Sequence, residues 1–321
     1  MLTAEDITGV WAIIPTPATP DANHMGAKNT VDLDETARLV NALINDGVDA
    51  IITTGTTGEC ATITETEFRT FADCVARSVG RRVPLFIGAT ALGGHAVVER
   101  LGIVREVGAD GTLLGLPMWE PCTTAMAVRY YREVAELFPQ IAIMVYANTG
   151  AFRFDFPVEF WEAVATEVPN VIASKQMHAH GLKEAIAATN GRINFLPIVS
   201  RVEAFYEVSP ETTIASWSTQ AGMGPAPAVA MARALRARDE DRIKKITKDL
   251  AWAGESLRPI NSKPELFATY NIQIEKIRMD EAGYCRPGPI RPPYDVIPPE
   301  YEQAARECGR RWAELQRRYS K

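Results

Sequence analysis

The sequence predicts an α/β fold, a (β/α)8 TIM barrel with a C-terminal helical extension, on three observations. Short apolar runs alternate with longer amphipathic ones about eight times over roughly the first 240 residues, the count that such a barrel needs. The runs are apolar throughout rather than alternating, as strands covered on both faces are, and this favours a parallel sheet wrapped by helices. Between the first strand and the first helix, "PTPATPDANHMGAKN" has no G-x-G-x-x-G, which weakens the competing open dinucleotide-binding sheet.

"GVWAIIP" is the first strand, and "IIPTPATPD" at its end, with Thr16, Pro17 and Thr19, reads as the rim of a pocket. "DLDETARLVNALINDG" is the first helix: Leu33, Ala37, Val40 and Ile44 recur at i, i+4, i+7 and i+11, and Gly47 is placed to end it in a left-handed conformation. "DAIITTG", "VPLFIGAT", "DGTLLGLP", "IAIMVYAN", "VIASKQ", "INFLPIV" and "TTIASWS" supply seven more strands. Helical patterns such as "ETEFRTFADCVARSVG" and "TAMAVRYYREVAELFP" lie between them. After Asp239 the rhythm turns helix-rich, so residues 1–240 are expected to form the barrel with the active site and residues 241–321 a helical layer packed on it. The Pro-rich "CRPGPIRPPYDVIPPE" reads as an ordered connector, and the basic "GRRWAELQRRYSK" as a solvated terminal helix.

Composition narrows the function. The chain has 321 residues, 46% hydrophobic and 23% charged, with a formal net charge of -6, so a large core is available and a polyanionic partner such as nucleic acid is disfavoured. Five cysteines without C-x-x-C spacing, an odd number, point to a reducing cytoplasm. No apolar run is long enough to span a bilayer, and the start "MLTAEDITGVWAIIP" has no basic region or cleavage site, so neither a membrane nor processing is expected.

In a barrel of this kind, side chains at the C-terminal ends of the strands face the pocket. Lys175 stands at such an end in "VIASKQ". A solvated surface charge is the ordinary state of a lysine. An apolar strand aimed into a barrel would instead desolvate the amine, lower its pKa and leave a neutral nucleophile able to attack a ketone as a Schiff base. "GTTGE" after the second strand can bring backbone N–H groups and the Thr56 and Thr57 hydroxyls onto a small carboxylate. Read alone, it is better taken as a strand-to-helix turn with a capping Thr. Tyr146 in "VYAN" is either a buried aromatic or a proton relay beside Lys175.

"GTTGE", Tyr146 and Lys175, in that order, resemble the pyruvate-dependent class I aldolases of the N-acetylneuraminate lyase and dihydrodipicolinate synthase family. The resemblance implies that Lys175 forms the Schiff base, Tyr146 shuttles protons, and Thr56 and Thr57 bind the pyruvoyl carboxylate, without a cofactor, in a homotetramer. There are departures: "PMWEP" supplies Met118 and Trp119 where the synthase branch has a Tyr pair, and "YANTGAFRFDFP" moves the amide to Asn148 and leaves the synthase branch's carboxylate-binding Arg without a clear counterpart, Arg153 being only a weak candidate.

Those departures, with "LTAEDITGVWAIIPTPATPDA", "ASWSTQAGMGP", "YNIQIEKIRMDEAG" and "CRPGPIRPPY", resemble the hydratase-aldolase subgroup of polycyclic aromatic degradation, whose small-molecule substrates are benzylidenepyruvates. In that reading, Trp119 and Trp217 wall an aromatic slot, Asn148 positions the attacking water, and Asn271 reaches the substrate from the C-terminal layer. Core packing at the barrel top is the competing reading of each Trp. "HAH" at His178 and His180 makes a weak metal site, without a carboxylate at ligand spacing. Another pyruvate-dependent aldolase or synthase, or a non-catalytic keto-acid-binding barrel, is the alternative function.

Overall fold

The structure, a computed structural model, describes residues 1–320. Eight short parallel strands, β1 (Gly9–Ile13), β2 (Ala50–Thr53), β3 (Leu85–Ile87), β4 (Gly111–Leu114), β5 (Ala142–Tyr146), β6 (Val171–Lys175), β7 (Asn194–Leu196) and β8 (Ala215–Ser218), are buried along their whole length. The sheet runs β7-β6-β5-β4-β3-β2-β1-β8, and a single bridge between Ile198 and Trp217 brings its two edges together into a nearly closed TIM barrel. Parallel neighbours require crossovers. These are the helices α1 (Leu33–Asn45), α2 (Glu65–Val79), α3 (Gly94–Glu106), α4 (Thr124–Leu137), the short α5 (Thr149–Phe152) with α6 (Val158–Glu167), α7 (Leu182–Thr189), α8 (Val202–Val208) and α9 (Ala226–Ala237). Inside the barrel, side chains interlock, with Trp11 of β1 edge-on to Phe86 of β3 at 4.9 Å between centroids.

Helix α1 shows how a polar residue can set the rotation of a helix. Asp32 caps it by accepting from the Glu35 N–H at 2.9 Å, and Gly47 ends it with φ +94°. The buried side, however, is Thr36, Leu39, Val40 and Leu43, while Leu33 is exposed and Ile44 only half-buried, a correction to the expected stripe. The reason is Glu35, which turns inward to receive Arg38 of its own helix and Arg286 of the C-terminal segment.

The C-terminal layer consists of α10 (Glu240–Gly254), α11 (Arg258–Asn261), α12 (Pro264–Ala282) and α13 (Pro299–Tyr319). It has a small core of its own around Leu257, Ile260, Ile274, Ala305 and Cys308. The last helix is docked rather than freely solvated: Trp312 and Leu315 are buried, the Trp312 indole donates to the Gly224 carbonyl at 2.9 Å, and Gln316 accepts from the Ala226 N–H at the start of α9. Its arginines are largely neutralised on the spot, Arg306 by Glu281 and Glu302, and Arg311 by Glu307 and Glu255.

The layer grips the barrel through Glu59, the last residue of "GTTGE". Its buried carboxylate accepts from Lys276 of α12 at 2.8 Å and from the Arg291 guanidinium at 2.6 Å and backbone N–H at 3.0 Å. Arg291, in the Pro-rich connector, also donates to the carbonyls of Thr16, Pro17 and Thr30. The Thr16 hydroxyl is spent on the Gly58 carbonyl at 2.7 Å. The stretch after β1 is therefore a buried seat for the connector rather than a rim of free hydroxyls.

Among the described residues, no helix is long and apolar enough to cross a membrane. All five cysteines are free thiols.

Removing one partner of a buried ion cluster leaves the others uncompensated, at a cost of about 3–5 kcal/mol. Glu59→Gln is accordingly expected to lower the unfolding free energy by about that much, measured by urea denaturation followed by circular dichroism. A loss below about 1 kcal/mol, the size typical of an exposed pair, would contradict the clamp.

Candidate active site

The parallel pairing of β5 and β6 places Tyr146 directly beside Lys175, each the last residue of its strand. Both are therefore at the C-terminal mouth, where barrel sites are built. Lys175 is only 6% exposed, and its Nζ lies 4.4 Å from the Tyr146 ring centroid and 3.6 Å from that of Trp217, at the end of β8. Aromatic faces attract an ammonium, but they replace water poorly. Desolvation wins here: burial pulls the amine down from its ordinary 10.5 to about 7, against the opposing charge of Glu275. Near neutral pH a large share of this lysine is the free amine.

The Tyr146 hydroxyl shares a 2.8 Å hydrogen bond with the Thr56 hydroxyl and lies 3.4 Å from the Asn148 side-chain nitrogen. Burial raises its pKa, while the bonds to Thr56 and Asn148 work the other way. Its ring is held edge-on by Phe152 at 5.3 Å. Phe152 in turn needs Gly115 after β4, since a Cβ there would stand 2.0 Å from the Phe152 ring.

Thr56 and the buried Thr57 lie in a tight turn closed by the Glu59 N–H to the Thr56 carbonyl at 2.9 Å. The helix cap is not in this turn, because α2 starts later, on a capping box of Thr64 and Glu67. The loop is shaped instead by contact: a Cβ at Gly58 would come within 2.7 Å of the Thr54 backbone nitrogen.

The remaining expected residues fall in three places. Asn148 caps α5 through its oxygen, accepting from the Ala151 N–H at 3.1 Å, and keeps its amide nitrogen toward Tyr146. Trp217 is buried, with its indole donating to the Gln176 carbonyl at 2.9 Å, so it lines the amine itself. Trp119 is 75% exposed on the loop after β4, which corrects the core-packing reading for that residue. Arg153 holds this loop by donating from one guanidinium nitrogen, Nη2, to the carbonyls of Met118 and Trp119. Asn271 is half-buried on α12. His178 and His180 are exposed, and among the described residues no group of three or more His, Cys, Asp or Glu gathers to hold a metal ion.

Sequence reasoning missed a second buried pair at the mouth. Glu275 and Arg278 of α12 are joined at 2.5 Å, and Arg278 also donates to the Thr219 hydroxyl just beyond β8. In the sequence they look like ordinary helix charges. The one signal was their place in "YNIQIEKIRMDEAG", a stretch already marked by the resemblance.

A parallel barrel whose mouth holds one desolvated lysine against a tyrosine ring defines a TIM-barrel protein with a lysine-centred pocket. The profile of the Dihydrodipicolinate synthetase family matches residues 12–195, and the chain belongs to that family. The trans-O-hydroxybenzylidenepyruvate hydratase-aldolase of Pseudomonas putida is 43% identical over 324 residues, spanning 100% of this chain and 97% of that protein. The trans-2'-carboxybenzalpyruvate hydratase-aldolase of Nocardioides sp. (strain KP7) is 38% identical, spanning 99% and 96%. The solved structure of PhdJ bound to substrate intermediate superposes with a TM-score of 0.95 at 40% identity, over 99% of each chain.

The depressed amine has a stability signature. Between pH 7 and 10.5 the unfolded chain carries a proton on Lys175 that the native state largely lacks, so this group costs stability at pH 7, and the cost fades as pH rises to 10.5. Lys175→Met should therefore stabilise the fold by several kcal/mol at pH 7, the gain shrinking by about 1.4 kcal/mol per pH unit. Urea denaturation at pH 7 and pH 10 checks this, and an equal gain at both would contradict a desolvated amine.

Proposed function

We propose that the chain is a class I hydratase-aldolase, a carbon–carbon lyase acting on an aryl-substituted unsaturated pyruvate of the benzylidenepyruvate type in polycyclic aromatic hydrocarbon degradation. The products are an aromatic aldehyde and pyruvate, and the ring of the substrate carries an ortho-hydroxy or ortho-carboxy group. The observation that carries this reading is the Lys175 amine, dried by burial and set against the Tyr146 and Trp217 rings. The two full-length hydratase-aldolase relatives support the substrate class.

The chemistry needs no metal or organic cofactor. The Lys175 lone pair attacks the keto carbon, the carbonyl oxygen departs as water, and the imine, once protonated, becomes an electron sink. Water adds to the aryl-bearing carbon, with the Asn148 amide placing it, and the electrons pass into the imine as an enamine that takes a proton at the adjacent carbon. Removal of the new hydroxyl's proton then breaks the carbon–carbon bond, the aldehyde leaves, and hydrolysis of the remaining enamine returns pyruvate and the amine.

Tyr146 carries the protons, relayed through Thr56, whose hydroxyl it already touches. Thr56, Thr57 and the backbone of their turn receive the carboxylate. Trp217 borders the reacting carbons, while Trp119 and Asn271 face the aryl end. We place the enzyme in the cytoplasm as a homotetramer, for which the exposed Leu92, Trp119 and Met126 around the mouth offer apolar contact area.

Both hydration and cleavage pass through one imine. Lys175→Ala is therefore expected to cut turnover of trans-o-hydroxybenzylidenepyruvate by on the order of 10⁴-fold or more, followed as loss of substrate absorbance and release of pyruvate. Lys175→Arg should fail equally, since a guanidinium stays protonated. Turnover of either folded variant near the wild-type rate would refute the role.

A further inference from the structure

Helix α12 lies across the barrel mouth. It touches α5 beyond β5, reaches the loop beyond β2 through Lys276 and Glu59, and meets the turn beyond β8 through Arg278 and Thr219. Met279 packs on the same turn, where a Cβ at Gly222 would be 3.0 Å from its sulfur. Asn271, Glu275 and Arg278 fall at i, i+4 and i+7, so they share the face that looks onto this region. Thr219 follows β8 two residues after Trp217, whose ring covers the Lys175 amine.

On that face two buried atoms are without a hydrogen-bond partner, the Arg278 Nε and one oxygen of Glu275. The Glu275 carboxylate is buried, its Oε1 is taken by Arg278, and its Oε2 has no hydrogen-bond partner among the described residues. A buried carboxylate oxygen without a partner is costly and calls for a reason. A second observation points the same way: against the dominant effect of burial, Glu275 is the charge that favours a proton on Lys175.

We propose that Glu275, fixed by Arg278, is the counter-charge for the cation that forms at Lys175 when it condenses with a keto acid. The inference rests on the proposed Schiff-base function and adds to it a positioning residue from outside the strand ends. Condensation joins the amine nitrogen to the keto carbon, releases the carbonyl oxygen as water with the two amine hydrogens, and leaves an imine that binds one further proton. That cation sits in a pocket too dry to solvate it. A carboxylate anchored in low dielectric keeps it protonated, and so keeps it an electron sink. The titratable groups facing this pair are Tyr146 toward Lys175, and Arg278 with Cys308 of α13 toward Glu275.

The test is exchange of the pyruvate methyl hydrogens in D2O, followed by NMR across a pH series with the full chain. This reaction requires the protonated imine but no aldehyde. Glu275→Gln should slow exchange at least about tenfold and move the limb that depends on the Lys175 amine to lower pH by about one unit, because an attractive charge has been removed. Glu275→Asp should recover part of the rate. Since Glu275→Gln leaves Arg278 buried alone, the double variant Glu275→Gln/Arg278→Met removes both charges together and is expected to show the same slow rate and shifted limb. Folded variants exchanging at the wild-type rate with an unmoved limb would overturn the proposal. Absence of exchange in the wild type would overturn the Schiff-base reading and this inference with it.

Discussion

The site depends on keeping one amine dry. A lysine with a large share of free amine near pH 7 must be enclosed, and no single element can do that. β6 delivers Lys175, the β5–β6 register sets Tyr146 beside it, and β8 brings the Trp217 ring to 3.6 Å. Each of these wall positions is itself held: Tyr146 by Thr56 and by Phe152, which fits only because Gly115 lacks a side chain, and Trp217 by the Gln176 carbonyl. Desolvation of the amine costs stability, and the barrel's large continuous core supplies the margin that tolerates it.

The C-terminal layer completes the enclosure. Glu59 is separated from its partners Lys276 and Arg291 by 217 and 232 residues, yet it is the last residue of the turn that holds Thr56 and Thr57. The layer therefore sets the shape of a loop belonging to the barrel's second strand, and α12 brings a second charged pair over the mouth. Along the chain the last strand ends at Ser218 and only helices follow from Glu240 onward. Energetically barrel and layer are joined at the site itself, through buried ion pairs whose removal on one side strands charge on the other.

Much of this was legible in the sequence because the signals are local. The eight apolar runs mark the strands, and residues at strand ends in a parallel barrel converge, so Lys175, Tyr146 and the "GTTGE" turn could be placed at the mouth without coordinates. What escaped was decided by distant partners. Glu35 looks like a surface residue of α1, and only its bond to Arg286 rotates the helix by about one position. Glu59, Glu275, Lys276, Arg278 and Arg291 carry no mark of burial in the sequence, because burial of a charged residue depends on a counter-charge that the local pattern does not show. Thr16 reads as a free hydroxyl until the Gly58 carbonyl claims it. The bonds from the Arg153 Nη2 to the carbonyls of the loop after β4 likewise have no local signal in the sequence.

The central claim, that a desolvated Lys175 is the covalent nucleophile, is tested most directly by trapping. The full chain is incubated with pyruvate at neutral pH, reduced with borohydride, weighed intact by mass spectrometry and mapped by peptide digestion. One reduced pyruvate adduct per chain is predicted, located on Lys175 and not on the other lysines. No adduct, or an adduct spread over surface lysines with Lys175 unmodified, would contradict it.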